Sequence, residues 1–273
     1  MLNLSGRLPL ISCLLVTAGG RWDFFVQSYR CYLDQTYSNR ELVIVNEGPT
    51  TYQDRIASHV AGRPDVKLVF LDGKYTLGGL RNISIALSNG DIFVQWDDDD
   101  FNTPERLAVQ FSHLDRHPEA AACYLSDQLH YYFPTKELYW ENWSVYHSGG
   151  HQKYSLIPGT LMARKDGFVA RYPSGGQWAK AGEDSILAGW LCREEKSVLL
   201  LSGKGHMQMY TYHGGNVWDI EHHAKISKER AMPVSHMLQH REQIDATIGY
   251  LGLDGPVRVM GREGLAYIHG GQA

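Results

Sequence analysis

No apolar run in this 273-residue chain reaches the about 18 residues of a membrane-crossing helix, so an integral α-helical membrane protein is set aside. No block of lysine or arginine stands out. The 26 basic residues face 30 acidic ones, a net charge of −4 with histidine neutral, and a protein built to grip a phosphate backbone needs the opposite balance. Nucleic acid is therefore not an expected partner. Cysteine is sparse: Cys13, Cys31, Cys123 and Cys192 lie far apart with no CxxC pair, which argues against a disulfide framework. Three of them sit in apolar or aromatic company (SCLLV, RCYLD, ACYLS), as buried, reduced thiols do. No HxH or HExxH spacing speaks for zinc, and no internal repeat or low-complexity segment interrupts the chain. The N-terminus, MLNLSGRLPLISCLLV, has one arginine and a short, proline-interrupted apolar stretch that runs on into a core strand, so no secretory leader is expected and the chain is placed in the cytosol. What is present, 43% hydrophobic and 21% charged residues, is the composition of a globular protein with room for a large core.

The first hundred residues alternate short apolar runs with helical patterns. The runs are LPLISCLLV (8–16), ELVIV (41–45), VKLVFL (66–71) and DIFVQW (91–96). Between them lie a helix with Trp22, Phe25, Val26, Tyr29 and Leu33 on one face, a segment near 51–61, and a helix opened by Gly78-Gly79. Strands that are apolar throughout imply a parallel sheet covered on both faces, and ligands of such sheets bind beyond the carboxyl ends of the strands. Thr17, Asn46-Glu47 and Asp97 to Asp100 all fall at such ends. Thr103-Pro104 reads as a helix start with threonine as the cap, and Pro118 ends that helix by about residue 116. An aromatic stretch follows (Tyr124, Tyr131, Tyr132, Phe133, Tyr139, Trp140, Trp143, Tyr146) around a PTKE turn, which predicts a hairpin or mixed sheet whose rings are mostly core. The SGGH and PSGGQW breaks read as turns. The strands SVLLLS and MQMYTYH and a polar, histidine-bearing C-terminal region complete the chain.

Asp97, Asp98, Asp99 and Asp100 cannot all stay ionised at close range unless a cation or hydrogen-bond donors offset their repulsion. Residues two apart beyond a strand end can turn to the same side, so Asp97 and Asp99 are expected to share a ligand while Asp98 and Asp100 point elsewhere. Oxygen ligands of this kind suit Mg²⁺ or Mn²⁺; the alternative is a solvated acidic turn. Glu183-Asp184 stands at the mouth of a helix that buries Ile186, Leu187, Trp190 and Leu191, where the positive end of the dipole holds a carboxylate ionised. His213 ends the MQMYTYH strand before Gly214-Gly215-Asn216, and its imidazole suits a metal or a phosphate.

The order and spacing of LPLISCLLVTAGG, DQTYSNRELVIVNEG, LGGLRNISIALSNGDIFVQWDDDD, PGTLMARKDGF, GEDSILAGWL and YHGGNVW resemble family 2 glycosyltransferases with the GT-A fold, over about residues 8–218. The resemblance implies an α/β fold with a Rossmann-like, mostly parallel central sheet covered by helices and a smaller mixed sheet on the acceptor side. Residues 1–118 would form the nucleotide-sugar-binding half, 119–250 the acceptor-binding and catalytic half of the same domain, and 251–273 a C-terminal tail. By the same resemblance Thr17 and Glu47 lie along the nucleotide, Arg81 near the base or phosphates, Asp97 at the ribose with Asp98 among the donor contacts, and Asp99 on the metal bridging the diphosphate. His213 approaches that metal or the diphosphate. Asp184 becomes the general base, and Glu183 positions the acceptor or the loop.

The family usually has an Asp-Asp pair where this chain has Asn46-Glu47, which leaves the donor base open, with a UDP-sugar favoured. Arg81 has the alternative of pairing with the acidic run itself. The implied reaction is inverting transfer of a sugar to an acceptor hydroxyl, in glycan or polysaccharide synthesis, with Mn²⁺ or Mg²⁺. The alternatives are a nucleotide-sugar-binding protein without catalysis, and a sugar-phosphate nucleotidyltransferase, whose Gly-rich first loop VTAGGR (16–21) faintly resembles. A lipid-carried acceptor would leave peripheral membrane contact open, though no basic amphipathic helix supports it.

Overall fold

A computed structural model describes residues 8–144, 156–166, 168, 170–193 and 197–271. The SGGH break and Tyr146 lie outside the described residues. The first part of the chain runs β1 (Ile11–Thr17), α1 (Trp22–Leu33), β2 (Arg40–Asn46), α2 (Thr50–His59), β3 (Val66–Phe70), α3 (Leu77–Leu87) and β4 (Ile92–Gln95). It continues through β5 (Phe101–Asn102), α4 (Arg106–Asp115), β6 (Ala120–Leu125), β7 (Asp127–Tyr132), β8 (Glu137–Asn142), β9 (Met162–Arg164), α5 (Glu183–Arg193) and β10 (Ser197–Leu201). The remainder is β11 (Gln208–Tyr212), α6 (Ile220–Arg230), α7 (Val234–Gln239), α8 (Arg241–Leu251), β12 (Val257–Gly261) and β13 (Gly264–His269).

Seven strands form the larger sheet in the order β10-β6-β9-β4-β1-β2-β3, parallel except for β9, which runs against both β4 and β6. The reason the first strands are apolar at every position is visible in their packing. Ile11, Cys13 and Leu15 of β1, with Leu42 and Ile44 of β2, face the core beneath α1, α2 and α4, while Leu14, Val16, Val43 and Val45 face a second core under α3 and α5. Successive side chains leave opposite faces of a strand, so two buried faces require an unbroken apolar run. Cys13, Cys31 and Cys123 are buried, Cys192 is half-buried, and none is bonded to another. Burial pushes the Cys31 thiol up to about 11 and the Cys123 thiol up to about 12.

The smaller sheet is mixed, in the order β13-β12-β8-β7-β11-β5. The PTKE turn closes the antiparallel β7–β8 hairpin, as the aromatic alternation predicts, and Trp140 is buried with its Nε1 donating to Asp127 Oδ2 at 2.8 Å. Residues 257–269, expected as part of a tail, form β12 and β13, and β12 pairs with β8 to extend this sheet. The helix after Thr103-Pro104 ends where Pro118 predicts, but its start differs. Thr103 Oγ1 caps nothing, and the amide of Leu107 is taken by Gln35 Oε1 at 3.0 Å, a cap supplied by the residues just after α1. Among the described residues no helix is long and apolar enough to cross a membrane.

Helix α3 carries a true side-chain cap, with Thr76 Oγ1 accepting from the Gly79 amide at 3.2 Å. Its first turn presses on the segment before α5, so closely that a Cβ added at Gly78 would stand 2.0 Å from the Pro173 carbonyl oxygen. Gly78→Ala is therefore expected to lower stability by at least about 1–3 kcal/mol, the scale of core overpacking. Gly249→Ala in α8, where the added atom meets nothing within 4 Å, should be neutral or stabilising, because alanine is the better helix former. Paired urea denaturation curves check this, and equal midpoints for the two variants would contradict it.

Candidate functional site

The acidic run stands where the chain passes from one sheet to the other. Trp96, buried just past β4, donates its amide to the Leu14 carbonyl at 3.1 Å, and β5 of the smaller sheet begins five residues later. The turn between them is clamped from both sides: Ser28 Oγ of α1 donates to the Asp97 carbonyl at 2.9 Å, and Thr211 Oγ1 of β11 donates to the Asp99 carbonyl at 2.6 Å. Within the turn the four carboxylates meet different partners. Arg21 bridges Asp98 (Nη2 to Oδ1, 2.9 Å) and Asp99, while Asp97 Oδ1 receives Arg81 Nη1 at 2.8 Å and its Oδ2 receives Gln95 Nε2 at 2.9 Å. Asp100 Oδ2 accepts from Gln208 Nε2 at 3.0 Å.

The repulsion among four carboxylates is thus met by two arginines and two glutamine amides, and it shifts the carboxyls apart. Burial, with the charge of Asp99 beside it, pushes Asp98 up to about 7, and burial with Asp99 and Asp97 pushes Asp100 well above the usual carboxylate range. Burial would raise Asp99 too, but the His213 hydrogen bond and the Arg21 charge outweigh it and hold that carboxyl below its ordinary range. Arg21 was not singled out from the sequence as a site residue. It closes the VTAGGR loop whose glycines faintly resemble a nucleotidyltransferase, and here its guanidinium is committed to Asp98 and Asp99.

Arg81 pairs with the acidic run, the alternative left open by the sequence. Its Nε donates to Glu183 Oε1 at 2.9 Å while its Nη1 holds Asp97, so one guanidinium joins the end of β4 to the start of α5. Burial opposes its charge, yet Asp97 and Glu183 outweigh burial and raise it further. Glu183 is 2% exposed and turned inward, its carboxylate held by Arg81. Asp184, the next residue, takes the Ser185 amide at 2.6 Å and lines a cavity of about 580 Å³ together with Asp97, Asp100 and Gly159. Its carboxyl is raised, first by burial and then by Asp97, with Arg81 opposing.

Thr17 and Glu47 lie at the neighbouring strand ends. Thr17 is buried, with Oγ1 3.4 Å from the Tyr52 hydroxyl, and its carbonyl accepts from Asn46 Nδ2 at 3.0 Å. Asn46 thus ties β1 to β2, while Glu47 Oε2 accepts the Tyr75 amide at 3.0 Å across the loop before α3. His213 Nε2 stands 3.2 Å from Asp99 Oδ2, and its Nδ1 accepts from the Gly215 amide at 3.2 Å, which places the ring proton on Nε2. As hydrogen-bonded here, His213 donates to Asp99.

Among the described residues no group of three or more His, Cys, Asp or Glu side chains is arranged to hold a metal ion. An Mg²⁺ or Mn²⁺ ion that takes most of its ligands from phosphate and water needs only one or two carboxylates, and Asp99 meets that requirement if it exchanges Arg21 for the ion.

Comparison with known proteins follows the same outline. The family model described as Glycosyl transferase family 2 matches residues 13–179, a stretch that includes the acidic turn and stops short of α5. WcaA of Escherichia coli (strain K12), named as a glycosyl transferase of colanic acid biosynthesis, is 30% identical over 121 residues, 44% of this chain and 43% of WcaA. A Haemophilus influenzae protein described as an uncharacterized glycosyltransferase is 28% identical over 118 residues, 42% of this chain and 35% of that protein. The chain spans less than half the length of these curated relatives. Among solved structures, S. aureus TarS (residues 1–349) superposes with a TM-score of 0.57 at 15% identity, over 88% of this chain and 79% of TarS. The same protein in complex with UDP-GlcNAc gives 0.59 at 15% identity, over 89% and 68%. At that identity the likeness is one of fold.

Proposed function

The chain belongs to glycosyl transferase family 2 and has the GT-A fold, and from that membership we propose that it moves a sugar from a nucleotide-diphosphate sugar to an acceptor hydroxyl with inversion at the anomeric carbon. The observation that carries the reading is the convergence on one cavity of Asp97, fixed at the end of β4, and Asp184, fixed at the start of α5 and tied to it through Glu183 and Arg81. In this reading the nucleotide lies beyond the ends of β1 and β2, where Thr17 and Glu47 stand, with Asp97 at the ribose and Asp98 beside it. Asp184 takes the proton of the acceptor hydroxyl as its oxygen bonds to the anomeric carbon. The bond from that carbon to the diphosphate breaks, and the electron pair leaves on the phosphate oxygen.

A carboxyl raised by burial is a better base than an ordinary surface aspartate, provided it is ionised at the working pH. Holding both reactants in one cleft supplies alignment, which in favourable systems removes about 7–11 kcal/mol of barrier. Asp99 would hold Mn²⁺ or Mg²⁺, and the ion would neutralise charge developing on the diphosphate. His213, with its proton on Nε2, donates to Asp99 or to a phosphate oxygen.

The test is a thermal-shift screen of nucleoside diphosphates and nucleotide sugars with and without Mn²⁺. Uridine nucleotides come first, because solved neighbours hold UDP and UDP-GlcNAc. A ligand at about 100 times its Kd adds about 2.7 kcal/mol of apparent stability. We expect a shift with one nucleotide that grows with Mn²⁺, and we expect Asp99→Asn to abolish the Mn²⁺-dependent increment. No shift with any nucleotide would overturn the donor reading, and an increment that survives Asp99→Asn would remove Asp99 from the cation.

A further inference from the structure

The segment from α7 to β13 is held on the smaller sheet at two places. Strand β12 pairs with β8, and the helices close over Trp140 of β8, which is 1% exposed. Three imidazoles meet that indole: His206 from the turn Gly205–Met207, His236 of α7, and His240 where α7 passes into α8. Their ring centroids stand 6.0, 4.9 and 5.3 Å from it. His236 and His240 are one helical turn apart, and their own centroids are 4.0 Å from each other. Met237 of α7 and Ile244, Ile248 and Leu251 of α8 are buried in the same core, so the contact is part of how this segment packs.

The surroundings favour the uncharged form of these rings. His130, His213 and His269 each have a carboxylate oxygen at 2.8, 3.2 and 2.8 Å, whereas among the described residues none of His206, His236 and His240 has one within 4 Å. His236 Nε2 and His206 Nδ1 are buried without a hydrogen-bond partner. His206 Nε2 faces the Gln243 amide nitrogen at 3.1 Å, a donor that suits a neutral ring and opposes a protonated one. His240 Nδ1 donates to the His236 carbonyl at 3.0 Å. The charged groups nearby offer little relief. Lys204 opposes charge on His206, and Glu105 at the head of α4 favours it only from beyond 4 Å. Asp127 is taken by Trp140 Nε1 and the Gly203 and Gly205 amides, Asp245 by Arg241 and His269, and Glu263 by the Val234 amide. Arg241 and Glu242, next to His240, are exposed. Charging His236 and His240 together would set two cations at ring contact. Burial, then His240, pushes His236 down to about 4, and burial, then Lys204, does the same to His206.

We propose that the segment from α7 to β13 is a pH-sensitive latch, which neutral His206, His236 and His240 hold on Trp140 and which their protonation frees from β8 while the larger sheet stays closed. Once released, the imidazoles take up protons near their ordinary value of 6.5, well above the value His206 and His236 have in the closed form. The latch is therefore at full strength above about pH 7 and weakens as the pH falls toward about 4. Strand β8 also brings Glu141 to the wall of the cavity that Asp97 and Asp184 line, so release reaches the candidate site. The latch does not depend on which reaction that cavity performs.

The experiment is hydrogen exchange of the whole chain, read by mass spectrometry at about pH 7.5 and about pH 5.5 and corrected for the intrinsic exchange rate. One imidazole lowered from its ordinary value to about 4 makes opening about tenfold easier at the lower pH. Protection of peptides within 232–269 is expected to fall at least about tenfold, against less than about threefold in β1 and β2. Gln243→Glu puts a carboxylate beside His206 and should retain at least about threefold more of that protection at the lower pH than the parent protein. His206→Phe/His236→Phe keeps two rings on Trp140 without their titrating nitrogens and should flatten the response of 232–269. His223 of α6, another buried imidazole, is untouched by either change, so peptides of α6 should behave as in the parent. An equal fall throughout the chain, or none within 232–269, overturns the latch. So does a local fall that persists unchanged in both variants, and if the double variant does not fold, an unchanged Gln243→Glu protein overturns it alone.

Discussion

Asp184→Asn is expected to lower transfer by about 10²–10⁴-fold, the contribution of a positioned base, while the nucleotide-induced thermal shift stays as in the parent protein. The replacement is isosteric and keeps an oxygen for the Ser185 amide, so the start of α5 should be unchanged. It also removes a carboxyl whose charged form burial and Asp97 disfavour, so stability should not fall. The effect is therefore confined to proton transfer, which separates it from a structural lesion. A pH profile sharpens the test. The base must be ionised to act, and its raised pKa means that ionisation is lost earlier as the pH falls, so the acid limb of kcat/KM should lie above the ordinary aspartate range. An Asn variant with full transfer activity would remove Asp184 from the chemistry. A normal pH limb with reduced activity would keep the residue but contradict the buried environment assigned to it.

How much of this was legible beforehand depends on how local each cause is. Strands β1 to β4 were readable because a parallel sheet buried on both faces writes itself as unbroken apolar runs, and the helices between them because their buried stripes repeat every turn. Strand β9 was not, since three residues inserted antiparallel between β4 and β6 leave no period to detect. Nor were β12 and β13, which depend on pairing with β8 more than a hundred residues earlier. In the site, the acidic turn and Asp184 stood out as charged residues at element ends. Their partners did not: nothing near residue 21 says that Arg21 will meet residues 98 and 99. The buried pairing of His130 Nδ1 with Glu141 Oε1, at 2.8 Å, had a signal that went unread, namely two polar residues, Gln128 and His130, spaced two apart in β7. Alternation puts them on one face, and a polar pair on a buried face asks for a partner or a ligand.

Arg81→Met is the substitution expected to cost the fold most, about 3–5 kcal/mol, because it strands two carboxylates at once. Glu183 is nearly fully buried and Asp97 largely so, and Arg81 answers both with separate nitrogens of one planar group. Arg81→Lys keeps the charge but offers a single ammonium in place of the fork, so it should fall between the parent and Arg81→Met. Much of the loss is the penalty of an uncompensated charge rather than the worth of the pair, so neutralising the deeper carboxylate should return part of it. The double variant Arg81→Met/Glu183→Gln is expected to be more stable than Arg81→Met alone by about 1 kcal/mol or more, a coupling within the range seen for residues in direct contact. Urea midpoints at neutral pH read all three. Because Asp97 would lose its anchor as well, donor affinity should drop in Arg81→Met even where the protein remains folded. A loss below about 1 kcal/mol, with additive behaviour in the double variant, would mean that the guanidinium is not what joins the acidic turn to the start of α5.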